Sequence, residues 1–151
     1  MIYIKLPIAP PDGSAGAANA CFVRIRKGYK NDIGLLFHEV EGHVKEWWII
    51  SIISMLILSV IAYVTQLYGF PVQFCVLPSL SIVVQPLFYR LCKRYRLWSE
   101  VRAYNIQLSY SPEADYARHK ELYATWLSAP EPEGYGLQDI ITKEEAFIRL
   151  T

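Results

Sequence analysis

Residues 38–64 read HEVEGHVKEWWIISIISMLILSVIAYV, and this stretch carries the strongest cues to both architecture and chemistry. Its opening, His38-Glu39-Val40-Glu41-Gly42-His43, places two imidazoles and an adjacent carboxylate within a turn and a half of helix. Its remainder, residues 47–64, is rich in Ile, Leu and Val and contains neither a charge nor a proline. One helix over the whole stretch would run from a segment of metal-ligand type straight into an apolar one.

The apolar character extends further. Residues 47–89 contain no Asp, Glu, Lys, Arg or His. A bilayer crossing takes roughly 20 apolar residues, so two crossings would use nearly all of this run. Residues 47–64 suit a spanning helix. Residues 72–89 hold Pro78, Pro86, Gln73 and Gln85, and read as a kinked span, a re-entrant segment or a buried helix. Between them, residues 66–71 carry the Gly and Pro of a short connection, giving a long antiparallel helical hairpin. Lys45 before the first segment, and Arg90, Lys93, Arg94 and Arg96 after the second, put both termini on the cytoplasmic side. Trp47, Trp48, Tyr89 and Tyr95 fit an interfacial aromatic belt there, or else ordinary core positions. No cleavable signal peptide is expected, since residues 1–21 lack an apolar stretch behind basic residues.

Composition narrows the rest. A chain of 151 residues makes one domain at most. Its net charge of +1 gives no basic field, so nucleic acid is not expected as a partner. Cys21, Cys75 and Cys92 form no C-x-x-C pair and read as small apolar residues in a reducing compartment.

The expected fold is α+β and mainly helical: short N-terminal strands, the hairpin, and C-terminal helices. Residues 1–6 read as a strand, residues 7–19 as a loop, and residues 21–26 as a half-exposed strand with alternating Val23, Arg24, Ile25 and Arg26. Asp32 is a helix N-cap. Apart from Gly42, the helix it opens meets no stop before Gly69. Residues 90–108 continue as one helix out of the membrane. Ser111 caps a further helix with Pro112 in its first position, running to about Ser128. Residues 129–136 form a Pro- and Gly-rich loop, and Thr142 to Glu145 has the capping-box form.

Two histidines hold zinc poorly, because a catalytic site takes three protein ligands and keeps a fourth position open. In H-E-x-x-H motifs the histidines are four apart on one face, whereas His38 and His43 are five apart and diverge on an ideal helix. A local widening of the helix at Glu41 and Gly42 would realign them, and glycine lowers the cost. A hairpin turning near residues 69 and 70 sets residues 38–43 opposite about 96–101, given equal rise per residue on both helices. The acidic residue in that window is Glu100. Another first shell uses Glu39 and His43, which are four apart, leaving His38 free and Glu41 as the base.

Gly34-Leu35-Leu36-Phe37-His38-Glu39, His43-Val44-Lys45-Glu46-Trp47-Trp48 and residues 95–104 (YRLWSEVRAY) together resemble the minimal gluzincin-type metallopeptidases, many of them phage-encoded. The likeness covers residues 22–104. In that family an edge strand precedes the H-E-x-x-H helix and a glutamate on a later helix completes the zinc site in an E-x-x-A setting, which Glu100, Ala103 and Tyr104 match. The extra residue between the histidines is also similar to the tubulin-carboxypeptidase type. The resemblance implies a single metallopeptidase-like domain over residues 1–151, with 47–89 an apolar membrane hairpin inserted between the zinc-ligand helices.

The expectation is a membrane-associated zinc peptidase acting on a peptide or protein at the cytoplasmic surface of a bacterial inner membrane. His38, His43 and Glu100 hold Zn2+, and Glu39 is the general base. Tyr104 orients a ligand or donates to the oxyanion, or else is a packed aromatic. Residues 22–26 are the candidate edge for an extended substrate, with Arg24 and Arg26 a possible solvated face. The competing readings are a noncatalytic phage-type membrane or structural protein retaining a metal site, and a soluble peptidase whose hairpin is buried in an oligomer.

Overall fold

Val23 and Ile25 are buried while Phe22 and Arg24 are not, and this alternation makes Phe22–Ile25 (β3) the backbone of a small sheet. The computed structural model describes residues 2–10, 14–67, 73–131 and 133–151. Strand β1 (Ile4–Leu6) pairs parallel with β3, and β2 (Gly16–Asn19) pairs antiparallel, in the order β1-β3-β2. The expected loop over residues 7–19 therefore contains a strand. Gly-Ala-Ala-Asn has no alternation to announce it; pairing from Gly16↔Ile25 to Asn19↔Phe22 imposes the extended form. Ala20, at φ 55°, makes the reversal into β3. β3 is consequently central, and β1 and β2 are the edges.

Asp32 caps the helical part as expected, its carboxylate accepting the Leu35 amide at 2.8 Å. Three segments then follow without interruption: α1 (Ile33–Phe37), a π-helix over His38–Val44, and α2 (Lys45–Leu67). The run Ile33–Thr65 is long and apolar enough to cross a membrane, with mean hydropathy 2.3 over its most apolar part. Of the expected connection, Gln66 and Leu67 end α2, and residues 68–71 lie outside the described residues.

Helices α3 (Gln73–Ser79) and α4 (Ser81–Leu91) pack along α2. Pro86 has no N–H to give the carbonyl of Ile82 four residues back. The indole of Trp47 donates to that carbonyl instead, at 2.9 Å, so Trp47 is a buried strut against α4. The single helix expected over residues 90–108 is broken: Cys92 is extended (φ −109°, ψ 97°), and α5 (Lys93–Ser109) starts afresh beyond it. The break lets α5 lie along α1 and the π-helix, with Gly34 against Gln107 and Gly42 against Ala103.

Helix α6 spans Glu113–Ser128, one residue later than expected, with Pro112 itself in the cap position. Helix α7 (Lys143–Arg149) opens with the Thr142/Glu145 capping box. Leu97, Leu108, Leu127, Leu137 and Leu150 join α5, α6 and α7 in one core. Val23, Ile25, Leu35, Val40 and Val44 form a second core joining the sheet to α1 and the π-helix. The site lies between the two.

Candidate metal centre

A π-helix carries i→i+5 hydrogen bonds, so it stacks residues five apart. Lys45 N–H donates to Val40 O in that pattern, and His38 and His43 accordingly share a face. Gly42 is essential here for a second reason. A Cβ on it would sit 2.7 Å from the Cβ of Ala103, so only glycine lets α5 approach this closely. Where the i→i+5 ladder returns to i→i+4, a carbonyl loses its helical donor. The Arg102 guanidinium meets that junction, donating to the carbonyls of Glu41 (3.3 Å) and Gly42.

Helix α5 then brings Glu100, almost wholly buried, to the two imidazoles. His38 Nε2 is 3.3 Å from His43 Nε2, Glu100 Oε1 is 3.3 Å from His43 Nε2, and Glu100 Oε2 is 3.7 Å from His38 Nε2. Ligands about 2.0–2.1 Å from a tetrahedral zinc ion stand roughly 3.3 Å apart, so these separations suit three corners around one cation. Glu100 Oε2 is buried and accepts no hydrogen bond among the described residues. Lone pairs that converge in this way repel each other unless a cation lies between them. Burial, reinforced by the charge of His43, holds His38 well below the ordinary imidazole range, which keeps a ring lone pair free for a metal. The residues present therefore fit a metal ion, and the donor set of two imidazoles and a carboxylate suits zinc.

Outer partners orient the ligands. Ser99 Oγ lies 3.3 Å from His43 Nδ1 and donates to Glu46 Oε2 at 3.0 Å. Glu46 is itself buried, and also accepts from Arg102 at 3.0 Å, from Tyr95 and from Gln85 at 3.5 Å. His38 differs: the Gln107 side chain and the Ala103 carbonyl lie beside its ring, but its Nδ1 makes no hydrogen bond among the described residues. Tyr89 donates to Glu100 Oε1. Such outer contacts fix ring orientation and ligand basicity.

Glu39 is buried next to the ligands and, with His38, His43 and Glu100, lines a cleft of about 580 Å³. Burial, then the charge of Glu100, pushes Glu39 up to about 8, against the pull of the Ala18 amide and Arg24. Gly16 makes room for this carboxylate, since a Cβ there would lie 2.6 Å from Glu39 Oε1. Glu41, by contrast, pairs at the surface with Lys45 at 2.9 Å, far from the role of base that the alternative first shell gives it.

The sheet edge beside the cleft is β2, not β3, which corrects the expected edge; β3 reaches the cleft only through the Arg24 side chain. Arg26 N–H donates to Ala15 O, and the antiparallel alternation set by that bond turns the backbone groups of Gly16 and Ala18 away from β3. Tyr104 does not line the cleft. Its ring packs edge-on against His38 at 4.7 Å and stacks on Tyr123, while its hydroxyl meets that of Tyr135 at 2.8 Å. Tyr135 lines the cleft instead, held there by a loop folded onto the end of α6 through Tyr135 N–H to Trp126 O and Gly136 N–H to Ala129 O. Sequence reasoning missed Tyr135, Glu46, Ser99 and Arg102. The pairing of α5 with the π-helix and the start of α2 groups the last three, and the loop after α6 brings in Tyr135.

No family model, curated protein or solved structure matches this chain.

Proposed function

We propose that the protein is a gluzincin-like zinc metallopeptidase anchored in a membrane, with its site at the cytoplasmic surface. The observation that carries the reading is the convergence of His38, His43 and Glu100 at tetrahedral ligand spacing, beside a buried Glu39 and the edge strand β2. When bound, zinc supplies Lewis acidity, lowering the pKa of water and polarising a carbonyl.

The outward carbonyls of Gly16 and Ala18 and the outward amide of Gly16 support binding of an extended peptide along β2, while the Ala18 amide is held by Glu39. Ionised once a cation offsets the charge of Glu100, Glu39 accepts a proton from water as the water oxygen bonds to the scissile carbonyl carbon, and delivers it to the amine as the C–N bond breaks. Burial keeps the Tyr135 and Tyr104 hydroxyls protonated, with the charge of Glu100 adding to it. Tyr135 can therefore donate to a developing oxyanion, and Tyr104 holds it in place.

Membrane anchoring is supported by the exposed aliphatic side chains of α2, α3 and α4, together with the cationic Lys45, Arg90, Lys93 and Arg94 at their ends. Resistance to carbonate extraction is expected, and release into the supernatant would favour a hairpin covered by an oligomer instead.

Peptide hydrolysis by the zinc-loaded full chain is the direct test. Glu39→Gln should keep the metal and lose about 10²–10⁴-fold in rate. Wild-type rates in that variant would remove Glu39 as base. A zinc-loaded wild type inert towards every peptide would favour the noncatalytic membrane protein with a metal site.

A further inference from the structure

Three guanidinium groups, from Arg24, Arg90 and Arg96, line the same cleft as the ligands. They come from different elements, β3, the end of α4 and the start of α5. Arg24 acts on Glu39 through its charge but makes no hydrogen bond or ion pair with any described residue, and neither does Arg90. Arg96 has one long surface contact, 3.5 Å to the exposed Glu131, worth little in solvent. Its Nε is buried and donates to nothing among the described residues. The carboxylates of the cleft are engaged elsewhere: Glu100 faces the two imidazoles and Tyr89, and Glu39 accepts from the Ala18 amide. Buried donors left unpaired are costly, and guanidinium groups around a binding cleft find their natural partners in carboxylates of a ligand.

We infer that the cleft selects acidic peptides, with Asp or Glu side chains near the scissile bond held by Arg24 on the sheet wall and by Arg90 and Arg96 on the helical wall. This rests on the peptidase reading and names its substrate class. An anionic lipid headgroup would use Arg90 at the membrane surface, but it gives no role to Arg24, which stands across the cleft next to Glu39.

The test uses full-length zinc-loaded Glu39→Gln protein in neutral-lipid nanodiscs. Its probes are a short labelled peptide rich in Asp and Glu and the matching Asn/Gln peptide, both acetylated and amidated so that only side-chain charge differs. The acidic peptide should bind about tenfold tighter or more, as one charge-assisted contact provides. Arg24→Ala and Arg90→Ala should erase the preference, while Arg118→Ala, outside the cleft, should leave it. Equal binding of the two peptides by the unsubstituted cleft overturns the inference without needing any arginine variant to fold. So does a preference lost equally in Arg118→Ala, or one abolished when phosphatidylglycerol replaces the neutral lipid. Hydrolysis by the wild type is scored separately. Selective binding without cleavage would end the peptidase reading and leave an acidic-ligand cleft, and indiscriminate binding with cleavage would do the reverse.

Discussion

Leu108 and Leu127, in the C-terminal helices, are 1% and 0% exposed, whereas Leu56 and Ile57 on α2 are 60% and 55% exposed. Both regions are helical and both are supplied with aliphatic side chains. Burying such a side chain contributes about 1.5–3 kcal/mol, and α5, α6 and α7 collect that among themselves. Helices α2, α3 and α4 do not, and leave Ile49, Ile53, Leu56, Val60, Val83 and Leu87 among their exposed apolar side chains. Soluble monomers rarely expose an apolar patch beyond a few hundred Å². The same residue types thus serve two solvents, an internal core and, on the proposed reading, a bilayer. The metal-ligand side chains sit where the two regions meet.

Substitutions can break this contrast. Leu127→Ala should cost about 2–5 kcal/mol in denaturant unfolding in detergent, whereas Ile57→Ala should change stability by less than about 0.5 kcal/mol. A large loss at Ile57 would mean that its outer face is packed against protein. Ile57→Arg sharpens the point: a charge near the centre of a span costs about 2.5–3.5 kcal/mol of insertion and should shift protein into the carbonate-extractable fraction. An unchanged distribution would remove α2 from the membrane. At the seam, Gly42→Ala should destabilise by about 1–3 kcal/mol, because the new methyl collides with Ala103, and should weaken zinc binding with it. Loss of the capping box in Thr142→Ala, read by thermal unfolding, should cost only about 1 kcal/mol.

The long helix, its Asp32 cap and the final capping box were legible because each is a local pattern. The irregular spacing of His38 and His43 was legible too, as a demand for a widened helix, and the π-helix over His38–Val44 has that widening. Glu100 came from an uninterrupted hairpin register, which the chain does not follow. Glu46 faces Gln85 on α4 and also Ser99 on α5, because Cys92 turns the chain between them. The few residues of offset were too small to move the nearest carboxylate out of reach. Strand β2 was illegible because Gly16, Ala17, Ala18 and Asn19 have little propensity of their own; their shape comes from β3 and from the Glu39 carboxylate against Gly16. Tyr135 was hidden for a related reason. A tyrosine in a Pro- and Gly-rich loop reads as surface until α6 and Tyr104 fix it over the site.

Anomalous diffraction at the zinc edge tests the central claim most directly. It should give one peak per chain, about 2.0–2.2 Å from His38 Nε2, His43 Nε2 and a Glu100 carboxylate oxygen, and the peak should vanish in Glu100→Ala. No peak in the wild type, or a peak held by other residues and unchanged in Glu100→Ala, would contradict it.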